Sequence, residues 1–213
     1  MTPLVRLDHV RKSYGAEQPP ALTDISLEVW RGDRIALIGR SGSGKSTVLN
    51  LMAALDNPSA GEVSWPALST PLKPGQIGSA FQSPSLIPWL DVEENVRLAV
   101  VFSEVSRPSA PLEVLSRLGV GDLAKKLPGE LSGGQAQRVA LARAMATTPD
   151  LLLADEPSGQ LDHETARQVI DTLTRWADES DVTLVIATHD PQVAATMTRV
   201  LALDHGRLVE IPE

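Results

Sequence analysis

Gly39-Arg40-Ser41-Gly42-Ser43-Gly44-Lys45-Ser46-Thr47 is the stretch that decides the fold. It fits Gly-x-x-x-x-Gly-Lys-Ser, a loop whose backbone N–H groups wrap a phosphate. Arg34-Ile35-Ala36-Leu37-Ile38 before it reads as a short buried strand. After it, Val48, Leu49, Leu51, Met52 and Leu55 have the spacing of a helix packed on a sheet. Glycines at 39, 42 and 44 let the chain approach an anion closely, and the helix start adds partial positive charge. Lys45 is placed to reach the β- and γ-phosphates. Ser46 offers a hydroxyl to Mg²⁺, with Thr47 a second hydroxyl nearby. A flexible, solvated Gly/Ser loop would need neither flank.

Other candidate residues follow short apolar runs. Leu151-Leu152-Leu153-Ala154-Asp155-Glu156 is a strand ending in two acids. Ligands of parallel sheets lie at the carboxyl ends of strands. Asp155 is therefore a metal candidate, and Glu156 a general base for an attacking water. Asp181 to Ala187 is a further buried strand, with Thr188-His189-Asp190 at its end, so His189 is a candidate contact for a γ-phosphate. His9, His163 and His205 lack such support and read as structural or surface residues. Gln82 closes a short strand, Ile77 to Phe81, and its neutral amide can ligate Mg²⁺ or water and let go again. Tyr14, the only tyrosine, follows a first strand, Leu4 to Val10, where its ring can stack on adenine.

Leu131-Ser132-Gly133-Gly134-Gln135 adds a second anion site. Ser132 suits the cap of a helix running through Ala136, Val139, Ala140, Arg143 and Met145, and such a helix start attracts phosphate.

In this order the motifs resemble the ATP-binding subunits of ABC (ATP-binding cassette) transporters, from about Leu4 to Leu208. The resemblance covers the aromatic loop (Tyr14), Walker A (Gly39 to Thr47), Q-loop (Gln82), signature (Leu131 to Gln135), Walker B (Leu151 to Asp155, then Glu156), D-loop (Ser158 to Asp162) and switch histidine (His189). Gln160 is a mild departure in the D-loop. The resemblance implies an α/β fold with a P-loop NTPase (RecA-like) core, a small antiparallel β subdomain and an inserted helical subdomain. It implies ATP and Mg²⁺ as ligands, with Ser46, Gln82 and Asp155 at the metal. It also implies a head-to-tail dimer. Ser132, Gly133, Gly134 and Gln135 of one subunit would face the γ-phosphate held by Lys45 of the other, and Asp162 would cross near the partner's Walker A.

Composition sets outer bounds. The chain has 213 residues, 42% apolar, with a net charge of −8 and no cysteine. That length suits one core burying roughly 70% of the unfolded surface. No apolar run approaches the ~18 residues that cross a bilayer, and the first residues do not read as a secretory signal. The acidic balance and the lack of a basic run argue against nucleic-acid binding. A cytoplasmic ATPase, peripheral on the membrane through two membrane-spanning permease subunits, is the expectation.

The chain reads as a single ATPase domain. Its core and β subdomain span about 1–81 and 137–213, and its helical subdomain about 82–136. Asp24 to Trp30 and Gly61 to Trp65 read as strands of the antiparallel sheet. Asp91 and Glu94 form a capping-box-like start to a helix through Val101. Ser106 to Pro111 is a break, and Pro111 and Gly119 bracket a helix over Leu112 to Leu118. Ser83 to Leu90, with Pro84, Pro88 and Trp89, is an apolar, proline-stiffened candidate docking surface for a membrane partner.

Val48 to Met52 and Leu55 to Val63 resemble the macrolide, lipoprotein and haem exporter branch, whose ATPases transmit motion through a membrane partner. Leu86-Ile87-Pro88-Trp89-Leu90 is similar to sulfonate and nitrate importer ATPases, the first alternative. A regulatory ATPase in cell-envelope signalling is the second.

Overall fold

A computed structural model describes residues 1–15, 18–106 and 108–209. The strands are β1 (Val5–Lys12), β2 (Leu22–Val29), β3 (Arg34–Ile38), β4 (Ala60–Ser64), β5 (Ile77–Ala80), β6 (Leu151–Asp155), β7 (Thr183–Thr188), β8 (Arg199–Asp204) and β9 (Arg207–Val209). The helices are α1 (Lys45–Met52), α2 (Val92–Val101), α3 (Pro111–Arg117), α4 (Gly133–Met145), α5 (His163–Glu179) and the single turn α6 (Pro191–Ala194). The described residues fall into two compact units. One gathers Met1–Leu72 and the described part of Thr183–Glu213, and the other is Lys73–Val182.

In the first unit the strand order is β4-β1-β2-β9-β8-β3-β7. Two kinds of strand meet there. β1 and β2 bury alternate residues, as half-exposed antiparallel strands do. They pair Val5 with Val29 and Leu7 with Leu27, and β4 lies on the other side of β1 with Val63 opposite Leu7. β3 and β7 are largely buried, with apolar runs Ile35–Ile38 and Leu184–Ala187, as in parallel strands. β3 is parallel to both β7 and β8, with Ile38 opposite Thr188 and Ala202. The segments after β3 and β7 therefore leave one end of the sheet side by side.

The second unit pairs β5 with β6 in parallel, Ala80 opposite Ala154. β6 is buried throughout. α4 packs on α2, α3 and β5. α2 begins with a reciprocal cap, Asp91 accepting from the Glu94 N–H and the Glu94 carboxylate from the Asp91 N–H. α3 starts on Pro111, and Gly119 follows its end with φ of 65°. The predicted break at Ser106 to Pro111 includes Arg107, which lies outside the described residues.

Several boundaries differ from expectation. β1 runs on to Lys12, past irregularities between Leu7 and Lys12 that pairing to two neighbours accommodates. α1 stops at Met52, because Ala54 turns to φ of 56°; Leu55 is left outside the helix and 61% exposed. β7 starts at Thr183, because Asp181 has φ of 53° in the turn that closes α5.

Candidate nucleotide site

The cradle is built within the first unit. β3 delivers the chain to Gly39, and α1 begins at Lys45. A Cβ on Gly39 would stand 2.3 Å from the Leu203 carbonyl oxygen, so only glycine fits there. Gly44 caps α1 in the left-handed region, φ 108°, with no side chain bonded to the helix's first N–H groups. An uncapped helix start of this kind favours an anion. Lys45 is buried, and its Nζ donates to the carbonyls of Gly39 (2.7 Å) and Arg40 (3.3 Å). The ammonium thus lies against the loop it serves. The Ser43 N–H donates to the Arg40 carbonyl (3.1 Å), while Ser43 Oγ is buried with no hydrogen-bond partner among the described residues. A buried orphan hydroxyl beside a helix start that no side chain caps suits an anion that brings acceptors. Ser46 is exposed and Thr47 buried.

A backbone brace from a distant turn holds this loop. The β8–β9 turn, His205-Gly206, has positive φ at both residues, and the Gly206 N–H donates to the Ser43 carbonyl (3.0 Å). The Gly206 carbonyl in turn accepts from Thr23 N–H (2.9 Å). His189 follows Thr188, which pairs with Ile38, so it stands beside the strand that feeds the cradle. Thr188 is buried, and its Oγ1 accepts from the Asp190 N–H (3.0 Å), which holds the turn around the exposed His189. Tyr14 is 60% exposed after β1, and its hydroxyl donates to Asp56 Oδ2 (3.0 Å).

The second unit carries the remaining candidates. Asp155 ends β6 and is buried. Glu156 comes next with φ of 49°, a sparsely populated state for a side-chain-bearing residue. Its carbonyl accepts from the Gly159 N–H at 3.1 Å. Gln82 is exposed just beyond β5. Ser132 caps α4: its Oγ accepts from the Gln135 N–H (3.2 Å) and Gln135 Oε1 accepts from the Ser132 N–H (2.9 Å). A Cβ on Gly133 would lie 2.6 Å from Gln160 Oε1, and one on Gly134 2.7 Å from Leu161 Cδ2. The signature glycines and the D-loop are thus packed together. Asp162 caps α5 by accepting from the Thr165 N–H (3.0 Å), a contact that holds its carboxyl below the usual carboxylate range.

Three side chains fix the segment after Gln82. Buried Gln137 donates to the Phe81 carbonyl (3.3 Å). Arg143 donates to the carbonyls of Pro84 (3.0 Å) and Ser85 (2.9 Å). Asn95 accepts from the Ile87 N–H (2.8 Å) and donates to the Leu90 carbonyl (2.9 Å). The only sequence signal for these supports is a polar residue at an otherwise apolar helix position. Along this segment Trp89 stays 78% exposed, whereas Leu86 and Ile87 are half-buried.

Comparison with known proteins identifies the family. The family model described as ABC transporter matches residues 22–159. The lipoprotein-releasing system ATP-binding protein LolD of Bordetella pertussis is 39% identical, covering 97% of this chain and 95% of LolD. The macrolide export ATP-binding/permease protein MacB of Shigella flexneri is also 39% identical across the whole chain, which spans only 35% of that longer protein. Two structures of the cassette MJ0796 superpose closely. A dimeric form has a TM-score of 0.88 at 36% identity, covering 97% of both chains. A dimeric post-hydrolysis form bound to ADP and Pi has a TM-score of 0.87, covering 98% of this chain and 99% of its own. The fold is that of the P-loop ATPase cassettes, and the chain belongs to the ABC transporter family as an ATP-binding cassette that hydrolyses ATP.

Proposed function

We propose that two copies of a cassette close on two ATP molecules and thereby drive an exporter-type membrane partner. The unlike character of the two helix starts carries this reading. α1 offers a start that no side chain caps, an orphan hydroxyl and Lys45 to a phosphate. α4 offers Ser132 and glycines with no charged residue in its first turn, and Arg138, further along the helix, donates to the carbonyls of Leu118 and Gly119 (both 3.1 Å). The α4 start suits the far side of a phosphate whose charge another group already balances. The dimeric MJ0796 cassette supports presentation of that phosphate by a second subunit.

In the closed site the Walker A residues Gly39 to Thr47 bind the triphosphate and Tyr14 the base. Glu156 takes a proton from water while the water oxygen attacks the γ-phosphorus and the bond to the β-bridging oxygen breaks, giving ADP and phosphate. His189 orients the γ-phosphate. Ser46, Gln82 and Asp155 offer oxygen donors only, the set that Mg²⁺ takes, and bound Mg²⁺ would neutralise developing charge on the phosphates. Closure excludes water and strengthens each of these interactions.

The helical subdomain, about 82–136 within a single ATPase domain, would meet the permease through Ser83 to Leu90. No helix among the described residues is long and apolar enough to cross a membrane, so a permease would supply the attachment to the cytoplasmic face. LolD and MacB favour the exporter branch over an importer. Tagged chain retrieved from detergent-solubilised native membranes should bring a membrane-spanning subunit with it. Retrieval of the ATPase alone, or of an importer permease with its binding protein, would contradict the proposal.

A further inference from the structure

Tyr14 is held by a small charged cluster that no nucleotide contact explains. Lys12 Nζ lies over its ring, 4.9 Å from the centroid. The same ammonium donates to Asp56 Oδ1 (2.5 Å) and to the Asn57 carbonyl (2.7 Å). Asp56 Oδ2 accepts from the Tyr14 hydroxyl, so one carboxylate grips both cation and phenol. The Asn57 N–H donates to Asp56 Oδ1 (2.8 Å) and fixes the carboxylate. Ser59 ties the two segments further: its N–H donates to the Arg11 carbonyl (2.8 Å) and its Oγ accepts from the Ser13 N–H (3.1 Å).

The cluster is not a casual surface ion pair. The Lys12 side chain is only 12% exposed and that of Asp56 26%, whereas Tyr14 as a whole is 60% exposed. The polar groups are drawn in and ring surface is left out. Lys12 beside it also holds the Asp56 carboxyl below its ordinary range, so the carboxylate is charged at neutral pH. A cation over an aromatic ring withdraws electron density from it, which favours stacking of an electron-rich purine on the remaining surface. Fixing the ring beforehand also removes part of the entropy cost of stacking. Asp56 stands just past the C-terminal end of α1, the helix that begins at Lys45. The Met52 carbonyl at that end accepts from Trp65 Nε1 (2.9 Å). One braced helix therefore ties the base platform to the phosphate cradle.

We propose that Lys12 and Asp56 are positioning residues for base recognition, which hold and polarise Tyr14 so that a purine adds affinity beyond that of the phosphates. The inference rests on the reading of Tyr14 as the base platform. The quantity to measure is how much more tightly the intact chain binds ATP than inorganic tripolyphosphate, each titrated by calorimetry in the same magnesium buffer. Lys12→Met and Asp56→Ala should each reduce that preference about three- to tenfold, with tripolyphosphate affinity unchanged, which also shows that the cradle remains folded. Tyr14→Phe, which removes only the hydroxyl, should reduce it less, and Lys12→Arg should restore it. Equal loss for both ligands, or no loss for either while Tyr14→Ala abolishes the preference, would overturn the role of Lys12 and Asp56 and leave the Tyr14 platform standing. If Tyr14→Ala itself kept the preference, the platform reading would fall and this inference with it.

Discussion

The starts of α1 and α4 are both glycine-rich and both belong to phosphate motifs, yet they are built in opposite ways. Gly44 leaves the α1 start without a side-chain cap, and Lys45 adds a buried ammonium. Ser132 and Gln135 close the α4 start on itself, and its first turn carries no charge. On the proposed reading the first is an anion site ready before any ligand arrives. The second is a helix end closed by its own reciprocal cap, which on the proposed reading gains from a phosphate only when that phosphate comes with its charge already balanced. Two sites of the first kind would bind nucleotide independently. One of each kind makes occupancy of the second conditional on the first, which is what a cycle of closure and release requires.

The largest expected effect lies at the ready site. Lys45→Ala removes the cation and its grip on the Gly39 and Arg40 carbonyls. Calorimetry should show ATP affinity falling roughly 10- to 100-fold, and unchanged affinity would remove the cradle assignment. A mixing experiment comes next. Lys45→Ala and Ser132→Arg proteins should each be inactive alone, but an equimolar mixture should regain ATPase activity, because one intact Lys45 can meet one intact Ser132 across a mixed pair. If both belonged to the same subunit's site, the mixture would stay dead. Gly39→Ala should disrupt the cradle, since its Cβ meets backbone, whereas Gly133→Ala should leave monomer stability nearly unchanged, because the atom it meets is the end of the Gln160 side chain. Paired thermal melts would reveal the contrast. The smallest effect is Ser132→Ala, which should cost about 1 kcal/mol of stability through the lost cap, with no change in ATP affinity of the separated monomer.

The motifs were legible because their chemistry is local. A glycine run after an apolar strand, or two acids at the end of Leu151 to Ala154, carries its own signal. The supports were not legible. The β8–β9 turn braces the cradle through the backbone of Gly206, and nothing in Leu203-Asp204-His205-Gly206 announces a partner at Ser43. Gln137 and Arg143 reach the carbonyls of Phe81, Pro84 and Ser85 across long sequence separations, so the rigidity of the segment after Gln82 was invisible in its own residues. Leu55 misled for the converse reason. It continues the apolar spacing of α1, but the backbone at Ala54 has already left the helix. Asp162 and Gln135 carry caps that their motif names did not suggest. Helix periodicity was also plain in Ala166, Val169, Ile170, Leu173 and Ala177 of α5, a helix not assigned from sequence.

The mass in solution of the Glu156→Gln protein loaded with ATP and magnesium tests the central claim most directly. A protein that binds but cannot hydrolyse should be held closed, so light scattering should report twice the mass of the nucleotide-free chain, and adding Ser132→Arg should return it to monomer mass with ATP still bound. A Glu156→Gln protein that stays at monomer mass when saturated with ATP would contradict the account.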